Sequence, residues 1–289
     1  MQFIKKLFSP ITLTIGYIQN HFKAMIFLLI LFLIFVPTSE KEFTKNNLQK
    51  IYLIGSIMDV SEVLKEINKA TNDDKIKGVL FIVDSPGGAV APSVEVSYAI
   101  KRLRSKKPVV VYARGILASG SYYASIWANK IIANPGAMVG SIGVIMEGFD
   151  FSGLMQKLGI KTQTVQAGKY KKLGTPDREW KPYEVAELNK VIKGTYNMFT
   201  TDVANARKLD INKRNTFANA HIFTASQAKK VGLIDELGVS YDAKIALIRM
   251  SGVKHPIWNK ADKFDELLKK LSAKTAVTLQ TYFPSLTLK

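Results

Sequence analysis

The run GVLFIVDSPGG, residues 78–88, decides the fold. Residues 79–83 are apolar without a break, have the length of a strand, and show no polar alternation. A strand of that kind is buried on both faces, which requires a parallel sheet with helices above and below it. The flanking segments fit. Upstream, IYLIGSI (51–57) is β-rich, and DVSEVLKEINKATNDD (59–74) sets Val63, Leu64 and Ile67 at helical spacing behind Asp59 or Ser61 as a cap. Downstream come a helix over 91–107, the buried strand PVVVYA (108–113), a helix opening at SGSYYASIWANK (119–130) and the short strand KIIAN (130–134). Strands alternating with helices predict an α/β fold with a mostly parallel sheet.

Beyond residue 134 the pattern is less regular. FSGLMQKLG reads as helix and IKTQTVQ (160–166) as strand. The longest helix is predicted over 182–207, with Val185, Leu188, Ile192, Tyr196, Phe199 and Val203 three or four apart and Pro182 suited to the first turn. TASQAKKVGLIDELG (224–238) reads as a short helix and a turn. The tail carries the amphipathic DKFDELLKKLSAK and then little pattern.

Composition narrows the chemistry. The 289 residues include no cysteine, which excludes disulfides, thiolate nucleophiles and cysteine-bound metal. The formal charge is +18, but the lysines are scattered and no nucleic-acid-binding motif is present. A solvated basic surface, or attraction to anionic lipid, accounts for that charge. At the N-terminus Lys5, Lys6 and Lys23 precede the wholly apolar MIFLLILFLIFV (25–36), and no acid lies before it. Twelve helical residues cover about 18 Å, which suits either a cleaved secretory segment or a short anchor. The following PTSEKEF lacks a small-x-small cleavage site, so a retained anchor over 25–37 is expected. The basic residues put segment 1–24 in the cytoplasm and everything past Pro37 outside, after a polar linker at 38–47.

Open α/β sheets place working residues at the carboxyl ends of strands. Three segments stand there: DSPGG, RGILASGS and NPGAMVGSIG. Gly87–Gly88 and Gly120 can offer backbone N–H groups to a carbonyl oxygen, the makings of an oxyanion hole. Ser119, at the turn into a helix, is a candidate nucleophile; the same position suits a helix N-cap. A serine needs a base. His221 is the one histidine outside the N-terminal segment and the tail. Lysine can also serve if its charge is suppressed, and AGKYKKLG offers Lys169, Lys171 and Lys172, among which pattern does not choose.

Five stretches in order, VLFIVDSPGG, GILASGSYYAS, AMVGSIGVIM, AGKYKKLGTPDRE and IFTASQAKKVGLIDELG, resemble the signal peptide peptidase A family of bacterial serine–lysine proteases. That family is a branch of the Clp-protease and crotonase-like fold group, built of repeated ββα units. The resemblance covers roughly 48–250, which it marks as a peptidase domain, with 251–289 as a C-terminal tail. It implies Ser119 as nucleophile, Lys171 as general base, Ser141 as the residue orienting the lysine, and Gly88 with Gly120 as the oxyanion hole, with no metal or cofactor. It further implies peptide substrates such as signal-peptide remnants, and a ring-like homo-oligomer at the inner membrane, with the catalytic domain on the extracytoplasmic side. Two positions depart from the family pattern: Ser121 stands where a second glycine is common, and His221 where arginine is frequent. An acyl-CoA enzyme of crotonase type, a Ser-His-Asp protease of Clp type using His221, and a non-enzymatic membrane scaffold are the rival expectations.

Overall fold

The computed structural model describes residues 17, 19–28 and 46–259, in two units that divide between Lys45 and Asn46. In the first unit, residues 17 and 19–28 are helical, with exposed side chains. Among the described residues no helix is long and apolar enough to cross a membrane. The anchor expected over 25–37 lies outside the described residues beyond Leu28, and so do the amphipathic stretch and the rest of the tail from residue 260.

The second unit runs β1 (Leu48–Ile54), α1 (Ser61–Asn72), β2 (Gly78–Ser85), α2 (Val90–Arg104), β3 (Val109–Ala118), α3 (Gly120–Ser125), β4 (Lys130–Ala133), β5 (Met138–Gly140), α4 (Ser152–Lys157), α5 (Pro182–Arg207), α6 (Arg214–Phe217), β6 (Ile222–Thr224), α7 (Ala225–Lys230), β7 (Glu236–Leu237) and α8 (Ser240–Ser251). The sheet order is β1-β2-β3-β4-β7, all parallel, with β5 parallel to β3 and β6 antiparallel to β5. This is the mixed α/β fold with a mostly parallel sheet that the sequence implies.

Both faces of β2 are covered, as its unbroken apolar run requires. Val79, Phe81 and Val83 pack with Val109 and Val111 against α1 and α2. Leu80 and Ile82 pack with Val110 and Tyr112 against Ala243 and Leu247 of α8. The alternation of side chains along each strand therefore feeds two apolar layers rather than one.

The topology that builds the site lies in β3. Its first half pairs with β2 and β4, while Ile116–Ala118 pairs with β5. At this switch the β2–β3 register slips: Val83 faces Ala113 but Ser85 faces Leu117. The Asp84 carboxylate fills the slip, accepting from the Ile116 N–H at 3.0 Å. A Cβ on Gly115 would stand 2.7 Å from that carboxylate and would displace it.

Three expectations are corrected. Residues 160–166 form no strand; they are exposed and pair with nothing in the sheet. The helix expected over 119–130 closes after six residues. β3 runs five residues past its predicted end. The helix at 182–207 has its predicted bounds, but its core contacts are concentrated from Phe199 onward, and Val185 is exposed. Its first half leaves the core together with an exposed arm, residues 144–181.

Candidate active site

Ser119 follows β3 directly and precedes α3. Its backbone has φ 52° and ψ −123°, a region that L-residues rarely occupy. Its N–H donates to the Gly140 carbonyl at 2.9 Å, and its carbonyl accepts from the Tyr123 N–H at 3.0 Å. Ser119 therefore occupies the N-cap position of α3, yet its hydroxyl makes no capping hydrogen bond. A capping role would have committed that oxygen; here it is free among the described residues, on a strained turn.

The loop Pro86–Gly88 is seated against the same turn. The Ile57 N–H donates to the Gly87 carbonyl at 2.9 Å, and the Ala89 N–H donates to the Ile57 carbonyl at 2.8 Å. Gly87 has φ +99°, and a Cβ there would stand 2.7 Å from both the Gly120 nitrogen and the Ser119 Cβ. A Cβ on Gly88 would fall 2.2 Å from the Ile57 carbonyl oxygen. Glycine at both positions lets the two backbones meet this closely, with Gly88 and Gly120 at the same cavity as Ser119. Neither N–H donates to another backbone group among the described residues.

Two buried serines fasten these loops together. The Ser121 hydroxyl donates to the Ser85 carbonyl at 2.7 Å and accepts from the Ala118 N–H at 2.9 Å. The Ser85 hydroxyl accepts from the Gly87 N–H at 3.2 Å. Ser121 is fully buried and committed, so it is a brace and not a second nucleophile. The sequence carried no signal for Ser85.

Ser119, Gly88, Gly120 and Ser141 all line one cavity of about 580 Å³. Ser141 follows β5 directly, has φ 49°, and its N–H donates to the His221 carbonyl at 2.7 Å. The remaining wall is mixed: Val90, Val94, Ile145, Met198 and Phe199 are apolar, and Ser93, Thr195 and Asn219 are polar, with Tyr123 and Tyr196 between them. The Tyr123 ring packs edge-on against Phe199 at 5.0 Å, and its hydroxyl donates to the Asp202 carboxylate. Burial, and then that carboxylate, push the Tyr123 phenol well up, so it stays protonated. Tyr123 and Ile145 fall inside the five family-like stretches and Phe199 in the helical spacing, but nothing in the pattern marks any of them as cavity wall.

Among the described residues no lysine, histidine, aspartate or glutamate lines the cavity. His221 is exposed, with its ring 6.0 Å from Phe223. Lys171 lies on the arm, exposed, in the turn that follows residue 167. The three lysines of this turn differ in their surroundings. Lys172 pairs with Asp177 at 2.7 Å. The Lys169 ammonium sits 4.7 Å from the Tyr183 ring centre and 5.7 Å from that of Tyr170. Lys171 has no side-chain partner among the described residues. The arm is anchored to α5 by Arg178, which meets Glu184 through two hydrogen bonds of 2.8 and 2.7 Å. Arg178, with the Lys181 N–H, holds the Glu184 carboxyl down at about 2. Among the described residues no cluster of three potential metal ligands exists.

The model of "Peptidase family S49" matches residues 101–254, a span holding Ser119, Ser141 and Lys171. A protein of Methanocaldococcus jannaschii named as a protease is 42% identical over 198 residues, covering 68% of this chain and 64% of that one. A protein of Enterococcus faecium named as signal peptide peptidase SppA is 30% identical over 220 residues, 71% of this chain and 64% of its own. The chloroplastic serine protease SPPA of Arabidopsis thaliana is 32% identical over 185 residues, 64% of this chain and 27% of that one. This chain thus spans less than two thirds of the length of each of these relatives. An uncommitted serine on a strained turn, facing two glycine N–H groups, accords with these likenesses: the chain belongs to peptidase family S49, among the SppA-like serine proteases.

Proposed function

We propose that this protein is a serine endopeptidase that cleaves apolar peptides with a Ser119–Lys171 dyad completed between neighbouring copies of the chain. The observation that carries the reading is the free Ser119 hydroxyl beside the Gly88 and Gly120 N–H groups, at a partly apolar cavity that no lysine or histidine lines among the described residues. The base must enter from outside the cavity. Lys171 is the lysine of its turn with no partner, and it rides on an arm whose apolar side chains face solvent, Ile145 and Phe149 at 80% and 78% exposure. Apolar surface of that extent is what a second copy covers. Successive arms reaching successive cavities give a closed ring.

Inside a neighbour's partly apolar cavity desolvation disfavours the ammonium form, so Lys171 docks as a neutral amine. It takes the proton of the Ser119 hydroxyl as Oγ bonds to the scissile carbonyl carbon. The Gly88 and Gly120 N–H groups hold the resulting oxyanion. The Lys171 ammonium then gives its proton to the departing amine as the C–N bond breaks. Water, deprotonated by Lys171, releases the acyl group and restores Ser119. Ser141 keeps the amine aimed. Anchoring through residues 25–37, with the catalytic unit outside the cytoplasmic membrane, would bring the cavity to signal-peptide remnants leaving the lipid. A serine-reactive fluorophosphonate should label Ser119, and Ser119→Ala and Lys171→Ala should each abolish hydrolysis of apolar peptides while the fold persists. Full turnover in either variant would refute the dyad.

A further inference from the structure

One side chain ties together both limbs of the turn that carries Lys171. Asp177 is 9% exposed, and its Oδ2 accepts from the Lys172 Nζ at 2.7 Å and from the Thr162 Oγ1 at 2.6 Å. Its Oδ1 accepts from the Thr175 hydroxyl. These three donors come from different places: Thr162 from the limb before the turn, Lys172 from the turn itself, Thr175 from the limb after it. The arm's other ties include the Tyr183 hydroxyl donating to the Lys169 carbonyl at 3.4 Å, the Trp180 Nε1–H to the Thr175 carbonyl at 3.1 Å, the Phe151 N–H to the Pro176 carbonyl at 2.8 Å, and Arg178 to Glu184. Residues 161–170 are exposed throughout, and no strand crosses them. The backbone adds the Lys171 N–H to the Gly168 carbonyl at 3.2 Å and the Leu173 N–H to the Tyr170 carbonyl at 3.1 Å, both within the turn.

We propose that Asp177 is a positioning residue: it clasps both limbs of the arm and, by pinning Lys172, fixes the direction in which the adjacent Lys171 projects. This rests on the reading of Lys171 as the base. The clasp also sets the local charge. Among the described residues the charged and titratable groups around the turn include Lys169, Tyr170, Lys172, Asp177, Arg178, Glu179 and Lys181 on the arm, with Tyr183, Glu184, Glu187 and Lys190 at the start of α5. Tyr183 and Tyr170 stand beside Lys169, Arg178 answers Glu184, and Lys190 answers Glu187. The Asp177–Lys172 pair is the neutralised pair next to Lys171. Breaking it from either side leaves one uncompensated charge near the base.

The test is the pH dependence of Ser119 labelling by a fluorophosphonate, which reads the base without product release, measured with peptide turnover on the full chain. Asp177→Asn keeps an acceptor for the threonines but frees the Lys172 charge, which disfavours the Lys171 ammonium. The rise of labelling with pH should move down by roughly 0.5 unit, a screened single-charge effect. kcat should fall about ten- to a hundredfold with KM little changed, as expected for a misaimed base. Lys172→Met frees the Asp177 charge instead, and the rise should move up by a similar amount. The double variant should return it towards wild type. A merely structural role would lower stability and kcat in all three without moving the profile in opposite directions. If Lys171→Ala is inactive and both single variants keep the wild-type profile, the clasp is refuted and the dyad stands. If Lys171→Ala is active, both fall. Melting curves recorded alongside separate lost folding from lost positioning.

Discussion

Gly88→Ala tests whether the two-loop oxyanion hole is real. The added methyl would lie 2.2 Å from the Ile57 carbonyl oxygen, 2.6 Å from its nitrogen and 2.8 Å from its carbonyl carbon. All three are backbone atoms, and none can rotate away. Ordinary carbon–oxygen contact begins about 1 Å further out, so the loop must move by about that distance. Two hydrogen bonds hold it in place, Ile57 N–H to Gly87 at 2.9 Å and Ala89 N–H to Ile57 at 2.8 Å. Losing both costs about 2 kcal/mol, or a fall in Tm of roughly 4–8 °C for a unit of this size. The displaced Gly88 N–H no longer reaches the oxyanion, and the loss of one such donor lowers kcat about 10²–10³-fold. KM should change much less, because the cavity wall is untouched. Steady-state hydrolysis of a fluorogenic apolar peptide, beside a thermal melt, measures both effects. A folded Gly88→Ala protein with kcat within about threefold of wild type would show that Gly88 is no oxyanion donor, since a lost donor cannot leave the rate so nearly intact.

Ser121→Ala removes the brace between the Ser85 and Ala118 backbones and should cost about 1–3 kcal/mol in a denaturant titration, while Ser119 still reacts with the probe; loss of labelling in a folded Ser121→Ala protein would reopen the choice of nucleophile. Arg178→Ala leaves the buried Glu184 carboxylate without its partner. In the native protein the Glu184 pKa is depressed to about 2 against an ordinary 4.5, so its contribution is complete above 4.5 and is lost as pH falls through about 2. In the variant the acid-unfolding midpoint should rise, and an unchanged midpoint would mean that the pair does not stabilise the arm. Phe149→Asp combined with Phe151→Asp puts charge on the stacked pair of the arm, whose rings lie 5.8 Å apart; light scattering should report smaller particles, and an assembly of unchanged mass would remove the arm from the interface.

The sequence made some elements plain because their physics is local. The run at 79–83 is typical of a doubly covered strand, and the 182–207 spacing of a helix, and both are found close to their predicted bounds. β5 and β6 have three residues each, too few for any period; β5 pairs with the end of β3 beyond the register slip, and β6 pairs with β5. IKTQTVQ has β-prone residues, but no edge reaches it, and propensity without a partner makes no ladder. The site divides in the same way. Glycines at 87, 88 and 120 and the serine at 119 announce themselves because close backbone approach leaves little choice of residue. Local pattern does not separate Lys169, Lys171 and Lys172, because what distinguishes them is contact with Tyr183, solvent and Asp177. Ser85 and Asp177 were missed altogether: a buried brace and a clasp have no signature beyond their own geometry.

The measurement closest to the central claim mixes two dead proteins. Ser119→Ala retains Lys171, and Lys171→Ala retains Ser119. Unfolded together in equal amounts and refolded into common assemblies, they should recover about a quarter of wild-type peptidase activity, because a competent site needs Ser119 from one variant and Lys171 from a neighbour of the other. Each protein refolded alone should stay inactive. A mixture as inactive as its parts, in assemblies shown to contain both chains, would mean that serine and lysine act within one chain.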